Sequence, residues 1–132
     1  MDTTNNLKSN CDTYNNYYYS LGCKYPKNST SLLKELQVFL KNKNNRYSGS
    51  GYITFHFRID CEGKPNQKVK VLQTDANYKT YHFDKKLVND LYLFLKTLNE
   101  WKIGLAKNGN TYSYLTFITF KIDNGKITNI AP

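Results

Sequence analysis

Trp101-Lys102-Ile103-Gly104, then Asn108-Gly109, then Tyr114-Leu115-Thr116-Phe117-Ile118-Thr119-Phe120-Lys121-Ile122 is the stretch that decides the fold. It reads as the end of a helix, a turn carrying a large aromatic, a second Gly turn and a long strand. Trp101 is the only tryptophan. A ring of that size at a helix-to-sheet joint anchors one element on the other. The run that follows has the Thr, Phe and Ile enrichment of a pleated, half-buried surface.

Upstream of Trp101, Leu87, Val88, Leu91, Phe94, Leu95 and Leu98 recur at helical spacing. Phe83-Asp84 opens that helix, with Asp84 placed to cap its first amides. Further back, Tyr52 to Asp60 alternates: Ile53, Phe55, Phe57 and Ile59 point one way, Tyr52, Thr54, His56 and Arg58 the other. Asp60-Cys61-Glu62-Gly63-Lys64-Pro65 is a turn, and Val69, Val71 and Gln73 form a second, antiparallel strand. Thr74 to His82 reads as a polar loop. Before the first strand, Pro26 and Ser29-Thr30-Ser31 start a helix whose stripe is Leu32, Leu33, Leu36, Phe39 and Leu40. Downstream, Asn124-Gly125 has the pair typical of a two-residue hairpin, and Ile127 to Ile130 can return as a short strand. The expected fold is α+β, an antiparallel sheet of three to four strands with two helices packed on one face. The expected organisation is a Tyr/Asn-rich, partly disordered segment over 1–25 and a domain over 26–132. Within that first segment, Met1 to Asn10 is expected to be disordered, while the Tyr cluster packs on the domain, with a short edge strand as one way of doing so.

The chain has 132 residues, which suits one modest core. No run approaches the ~18 apolar residues of a membrane span. Met1 to Asn10 has no apolar centre of the kind a signal peptide needs. The net charge is +9, but the 19 Lys and Arg are scattered, which suits a solubility surface better than a dedicated polyanion site. Three cysteines, Cys11, Cys23 and Cys61, include no CxxC pair, which argues against zinc. Cys11 and Cys23 flank a Tyr-rich loop and can pair in an oxidising compartment, leaving Cys61 over.

Catalytic signatures are absent: there is no Gly-rich phosphate loop, GxSxG, HExxH or kinase motif. His56 and Cys61 could form a nucleophile–base pair only in principle, with no oxyanion donor evident. Asp60 and Glu62 sit in a turn, where acids are ordinary. The expectation is a protein that is not an enzyme, with no cofactor, no metal and no small-molecule substrate.

Taken in order, these motifs resemble the TonB C-terminal domain family. Gly51-Tyr52-Ile53-Thr54-Phe55-His56-Phe57-Arg58-Ile59-Asp60 with Gly63 is similar to its opening hairpin, and Val69-Lys70-Val71-Leu72 to its second strand. Phe83-Asp84 with Leu87 is similar to its helix start. Trp101-Lys102, Gly104, Asn108-Gly109 and Ile118-Thr119-Phe120-Lys121-Ile122 are similar to its Trp-Lys-Pro-Gly, Asn-Gly and Ile-Thr-Phe-Lys segment. Pro26, Leu32, Leu33 and Phe39 are similar to the helix that precedes the sheet in many relatives. The resemblance implies a periplasmic adaptor that captures a peptide segment of an outer-membrane transporter by strand addition. Here the implied partner edge is Tyr114, Thr116, Phe117, Ile118, Thr119, Phe120, Lys121 and Ile122, with Trp101, Lys102 and Gly104 as structural anchor. A monomer or a strand-exchanged dimer fits that mode.

Three features depart from the family. Ile103 stands where Pro is usual, no membrane anchor or Pro-rich spacer is present, and a returning Ile127 to Ile130 would occupy the partner edge. A weaker reading is a basic aromatic sheet binding single-stranded nucleic acid through Tyr52, Arg58, Lys68, Lys70 and Lys121. A third is a stand-alone envelope accessory protein.

Overall fold

The computed structural model describes residues 25–41, 43, 46–105 and 109–132 in full, and residues 11–17 by their backbone. The expected disorder of 1–10 lies outside the described residues, as does most of the Tyr cluster. In chain order the elements are β1 (Cys11–Tyr17), α1 (Ser29–Lys41), β2 (Gly51–Ile59), β3 (Lys70–Asp75), α2 (Lys85–Thr97), β4 (Gly104–Leu105), β5 (Thr111–Asp123) and β6 (Lys126–Ala131). The fold is α+β. Among the described residues its sheet has six strands rather than three to four, because β1 and β4 also pair with β5. Neither carries apolar alternation: β1 is Asn- and Tyr-rich, and β4 has two residues.

The chain divides into two compact units that share the long strands. The first comprises residues 1–26, 57–69 and 100–116. In it β1 runs parallel to β5, with Cys11 opposite Thr111 and Tyr17 opposite Leu115. The two-residue β4 pairs antiparallel with the start of β5, Gly104 opposite Tyr112. Trp101 is buried between Tyr25, with ring centroids 4.5 Å apart, and Phe57, at 5.4 Å. Both pairs meet edge to face, the arrangement that ring quadrupoles favour.

The second unit comprises residues 27–56, 70–99 and 117–132. Its strand order is β6-β5-β2-β3. The alternation along β2 becomes alternating burial, with Ile53 and Phe55 fully buried. Phe55 meets Phe120 of β5 at right angles, 5.7 Å between centroids. Phe94 of α2 reaches the same Phe120 at 6.5 Å, so α2 covers that sheet face. Asp84 caps α2 by accepting from the Lys86 amide at 2.9 Å. The cap of α1 lies one residue earlier than the Ser-Thr-Ser signal: Asn28 Oδ1 accepts from the Ser31 amide at 2.8 Å. Leu32 and Leu36 of α1 are fully buried, and Phe39 packs edge to face on Phe94 at 5.7 Å. Tyr47 donates to the buried Asp90 carboxylate at 2.5 Å, satisfying a charge that would be costly unpaired.

The Asn-Gly hairpin forms, with both Asn124 (φ 48°) and Gly125 (φ 78°) in the left-handed region. That is the backbone a two-residue turn between twisted strands requires. It returns β6 alongside β5, from Asp123 opposite Lys126 to Thr119 opposite Ala131. Ile130 at the far end of β6 is fully buried. Replacing it removes a core side chain at the point that holds the strand down. Ile130→Ala is expected to lower stability by about 2–5 kcal/mol in urea denaturation. A loss under about 0.5 kcal/mol, the range of ordinary surface changes, would show that β6 is not packed as described.

Candidate binding edge

The residues expected to offer an open edge do not offer one. In the first unit, β5 has β1 along 111–115, and Tyr114 is fully buried with its hydroxyl donating to the Lys102 carbonyl at 2.6 Å. In the second, β5 lies between β2 and β6. Thr119 is paired with Ala131 on one side, and its hydroxyl meets that of Thr54 of β2 at 2.9 Å on the other. Phe120 and Ile122 are fully buried, as is Ile118. The proposed edge of Tyr114, Thr116, Phe117, Ile118, Thr119, Phe120, Lys121 and Ile122 is therefore corrected: β5 is an interior strand. The physical reason is the Asn124-Gly125 turn, which delivers β6 to the place a visitor would need.

The anchor residues are held close together in the first unit. A Cβ on Gly104 would stand 2.7 Å from the Tyr112 carbonyl oxygen and 2.5 Å from its ring, so this position accepts only glycine. Ile103 is 53% exposed. Trp101 Nε1 is buried, with no acceptor among the described residues.

Cys61 is disulfide-bonded. That bond removes the thiolate from the His56–Cys61 nucleophile idea. The expected pairing of Cys11 with Cys23 lies outside the described residues. Among the described residues no group of His, Cys, Asp and Glu is arranged to hold a metal ion.

The strand left at the rim is β3. It ends the order β5-β2-β3, and among the described strands it pairs with β2, Phe55 opposite Val71 and Thr54 opposite Leu72. Beyond it the chain turns at Asp75 and covers part of the outer edge. Asp75 N–H donates to the Lys79 carbonyl at 2.8 Å, and Tyr81 N–H to the Gln73 carbonyl at 3.3 Å. Those bonds show that the odd-numbered residues of β3 turn their amides outward. Backbone direction repeats every second residue, so the Val71 N–H and C=O face outward too. Among the described residues nothing pairs with them. The side chains there are apolar and open: Val71 is 38% and Leu72 62% exposed.

The sheet face beside this edge carries two stacked aromatic pairs. Tyr52 and Tyr78 lie nearly parallel, 10° apart with centroids at 5.2 Å. His56 and Phe117 are stacked at 6.1 Å and 17°. Lys70 lies opposite His56, on the same face. Tyr78 is held above the usual phenol range by its hydrogen bond to Tyr52, while the Lys121 ammonium nearby pulls the other way. Of the residues suggested for nucleic acid, Tyr52, Lys70 and Lys121 fall in this unit. Arg58 and Lys68 fall in the other, where Arg58 Nη1 donates to Ser113 Oγ at 3.0 Å.

The roles of Val71, Leu72 and Tyr78 are not visible in the sequence pattern alone. One signal did exist: Asp75-Ala76-Asn77-Tyr78-Lys79 repeats the layout of Asp60-Cys61-Glu62-Gly63-Lys64. No protein-family model, curated protein or solved structure matches the chain.

A free outward amide makes a direct prediction. Proline is tolerated on an edge strand where the N–H faces solvent. Val71→Pro should hold its stability to within about 1 kcal/mol in thermal or urea unfolding. A loss near the ~3 kcal/mol of a proline that breaks a hydrogen bond would show that this amide is occupied. Non-reducing peptide mapping should recover Cys61 in a disulfide-linked pair and one alkylatable thiol; an alkylatable Cys61 would contradict the bonding.

Proposed function

We propose that this protein is a non-enzymatic interaction domain that takes up an extended peptide by strand addition, with the rim of β3 as the docking edge. The observation that carries this reading is the outward backbone of Val71, without a partner among the described residues, beside the exposed apolar side chains of Val71 and Leu72. An edge of that kind is a template for another strand: main-chain bonds supply affinity and alternating side chains supply selectivity. The neighbouring lysines, Lys70 and Lys79, together with a net charge of +9, favour an acidic strand. They also disfavour a second copy of the same edge, which would bring like charges together.

The family resemblance supports the mode, and it suggests the N-terminal segment of an outer-membrane transporter as partner. The disulfide at Cys61 supports an oxidising compartment, consistent with the periplasm. Capture at β5, as the resemblance alone would have it, requires expulsion of β6. A strand tethered by a two-residue turn competes at an effective concentration in the millimolar range, which a dilute peptide does not match.

A second reading has its own observation. The stacked pairs Tyr52–Tyr78 and His56–Phe117, with Lys70 and Lys121, form a basic aromatic face of the type single-stranded nucleic acid uses. The disulfide weighs against it, since nucleic acid is chiefly an intracellular ligand.

The test is an amide-shift titration with synthetic peptides covering outer-membrane transporter N-termini. Shifts centred on 70–73, abolished by Val71→Pro, are expected. Shifts confined to 119–131, or none at millimolar peptide, would defeat the β3 reading. Binding of a single-stranded oligonucleotide that falls steeply with salt would favour the second reading instead.

A further inference from the structure

Two turns in this protein are built alike. In Asp60–Lys64, Asp60 Oδ1 accepts from the amides of Glu62 and Lys64 at 2.8 and 2.9 Å, and Gly63 N–H donates to the Asp60 carbonyl at 3.0 Å. In Asp75–Lys79, Asp75 Oδ1 accepts from the amides of Asn77 and Lys79 at 2.8 and 3.0 Å, and Tyr78 N–H donates to the Asp75 carbonyl at 3.0 Å. The fourth position is left-handed in both, φ 81° at Gly63 and φ 64° at Tyr78. Glycine takes that conformation without steric penalty; a bulky aromatic does not.

The ring that accepts this strain is not spent on the core. Tyr78 is 73% exposed. One face lies on Tyr52, which is paired with Thr74 of β3. Leu72 is two residues from Thr74 and points to the same face, about 7 Å along the strand. A strand added at Val71 would therefore pass its open-face side chains within reach of the tyrosine stack. Backbone strain retained in an exposed residue beside a binding edge is a pointer to function.

We propose that Tyr78 is the specificity-determining residue of the β3 edge, and that it selects peptides presenting an aromatic side chain on the open face. The inference rests on the strand-addition reading. The incoming ring extends the Tyr52–Tyr78 stack, offset face to face, as such pairs prefer. The Lys121 ammonium, whose charge acts on Tyr78, favours an acidic residue beside that ring.

Two eight-residue peptides alternating Val and Glu, one with Phe and one with Ala at a central position, provide the probe. Fluorescence anisotropy should show the Phe peptide binding about tenfold tighter to the unaltered protein, the scale of one aromatic pair. Tyr78→Gly should bind both equally, and Tyr78→Phe should keep the preference. Tyr78→Gly should also melt no lower than the unaltered protein, since glycine relieves the backbone. Preference retained in Tyr78→Gly, or a lower melting temperature, would overturn the assignment. If Val71→Pro abolishes binding while Tyr78→Gly retains the preference, only this inference falls. If the unaltered protein binds neither peptide, strand addition falls and takes this inference with it.

Discussion

The hydrogen-bonded return of β6 onto β5 is the constraint on which the rest depends. Asn124 and Gly125 reverse the chain in two residues, and Ile130 fastens the far end into the core. A fully buried isoleucine is worth about 1.5–3 kcal/mol of transfer free energy, before any contribution from the ladder. Each net backbone hydrogen bond adds about 0.5–1.5 kcal/mol. With that strand in place, the long β5 is an interior element, and the docking edge we propose lies on the other side of the sheet.

At that other side the protein protects itself only in part. The segment after the Asp75 turn folds back and covers Gln73 and Asp75, and among the described residues nothing covers the stretch around Val71. Short length and flanking lysines are the usual defences of an edge strand against indiscriminate pairing. Both are present here, and under the strand-addition function we propose both would act as filters: a short opening would admit a peptide but not a sheet, and positive charge would turn away copies of the same chain.

Much of this was legible in the sequence because it depends on local periodicity. The alternation of Tyr52 to Asp60 gave β2 within a residue, and the stripe from Leu87 to Leu98 gave α2 with Asp84 as its cap. The Asn124-Gly125 pair announced β6 for a backbone reason that needs no tertiary context. What sequence could not settle was which strand would be flanked. Strand order is a long-range property, and the residues of β5 look the same whether they sit at a rim or between neighbours. The strand β1 was legible only as an option for the Tyr-rich stretch, because Asn and Tyr carry no apolar alternation that would fix its bounds. The pairing of Cys61 was hidden because three cysteines allow three pairings and spacing does not choose among them. Tyr78 was hidden inside what read as a polar loop, and only the twin turn with Gly63 shows that a glycine position has been given to an aromatic.

The most direct measurement is native-state amide hydrogen exchange resolved residue by residue. A closed β5 and an open β3 predict slow exchange across 119–123 and across the β6 amides bonded to it. They also predict that the Val71 amide exchanges orders of magnitude faster than its neighbours bonded to β2, close to the rate of an unstructured chain. Strong protection at Val71, with rapid exchange along 119–123, would reverse the two edges and contradict the account.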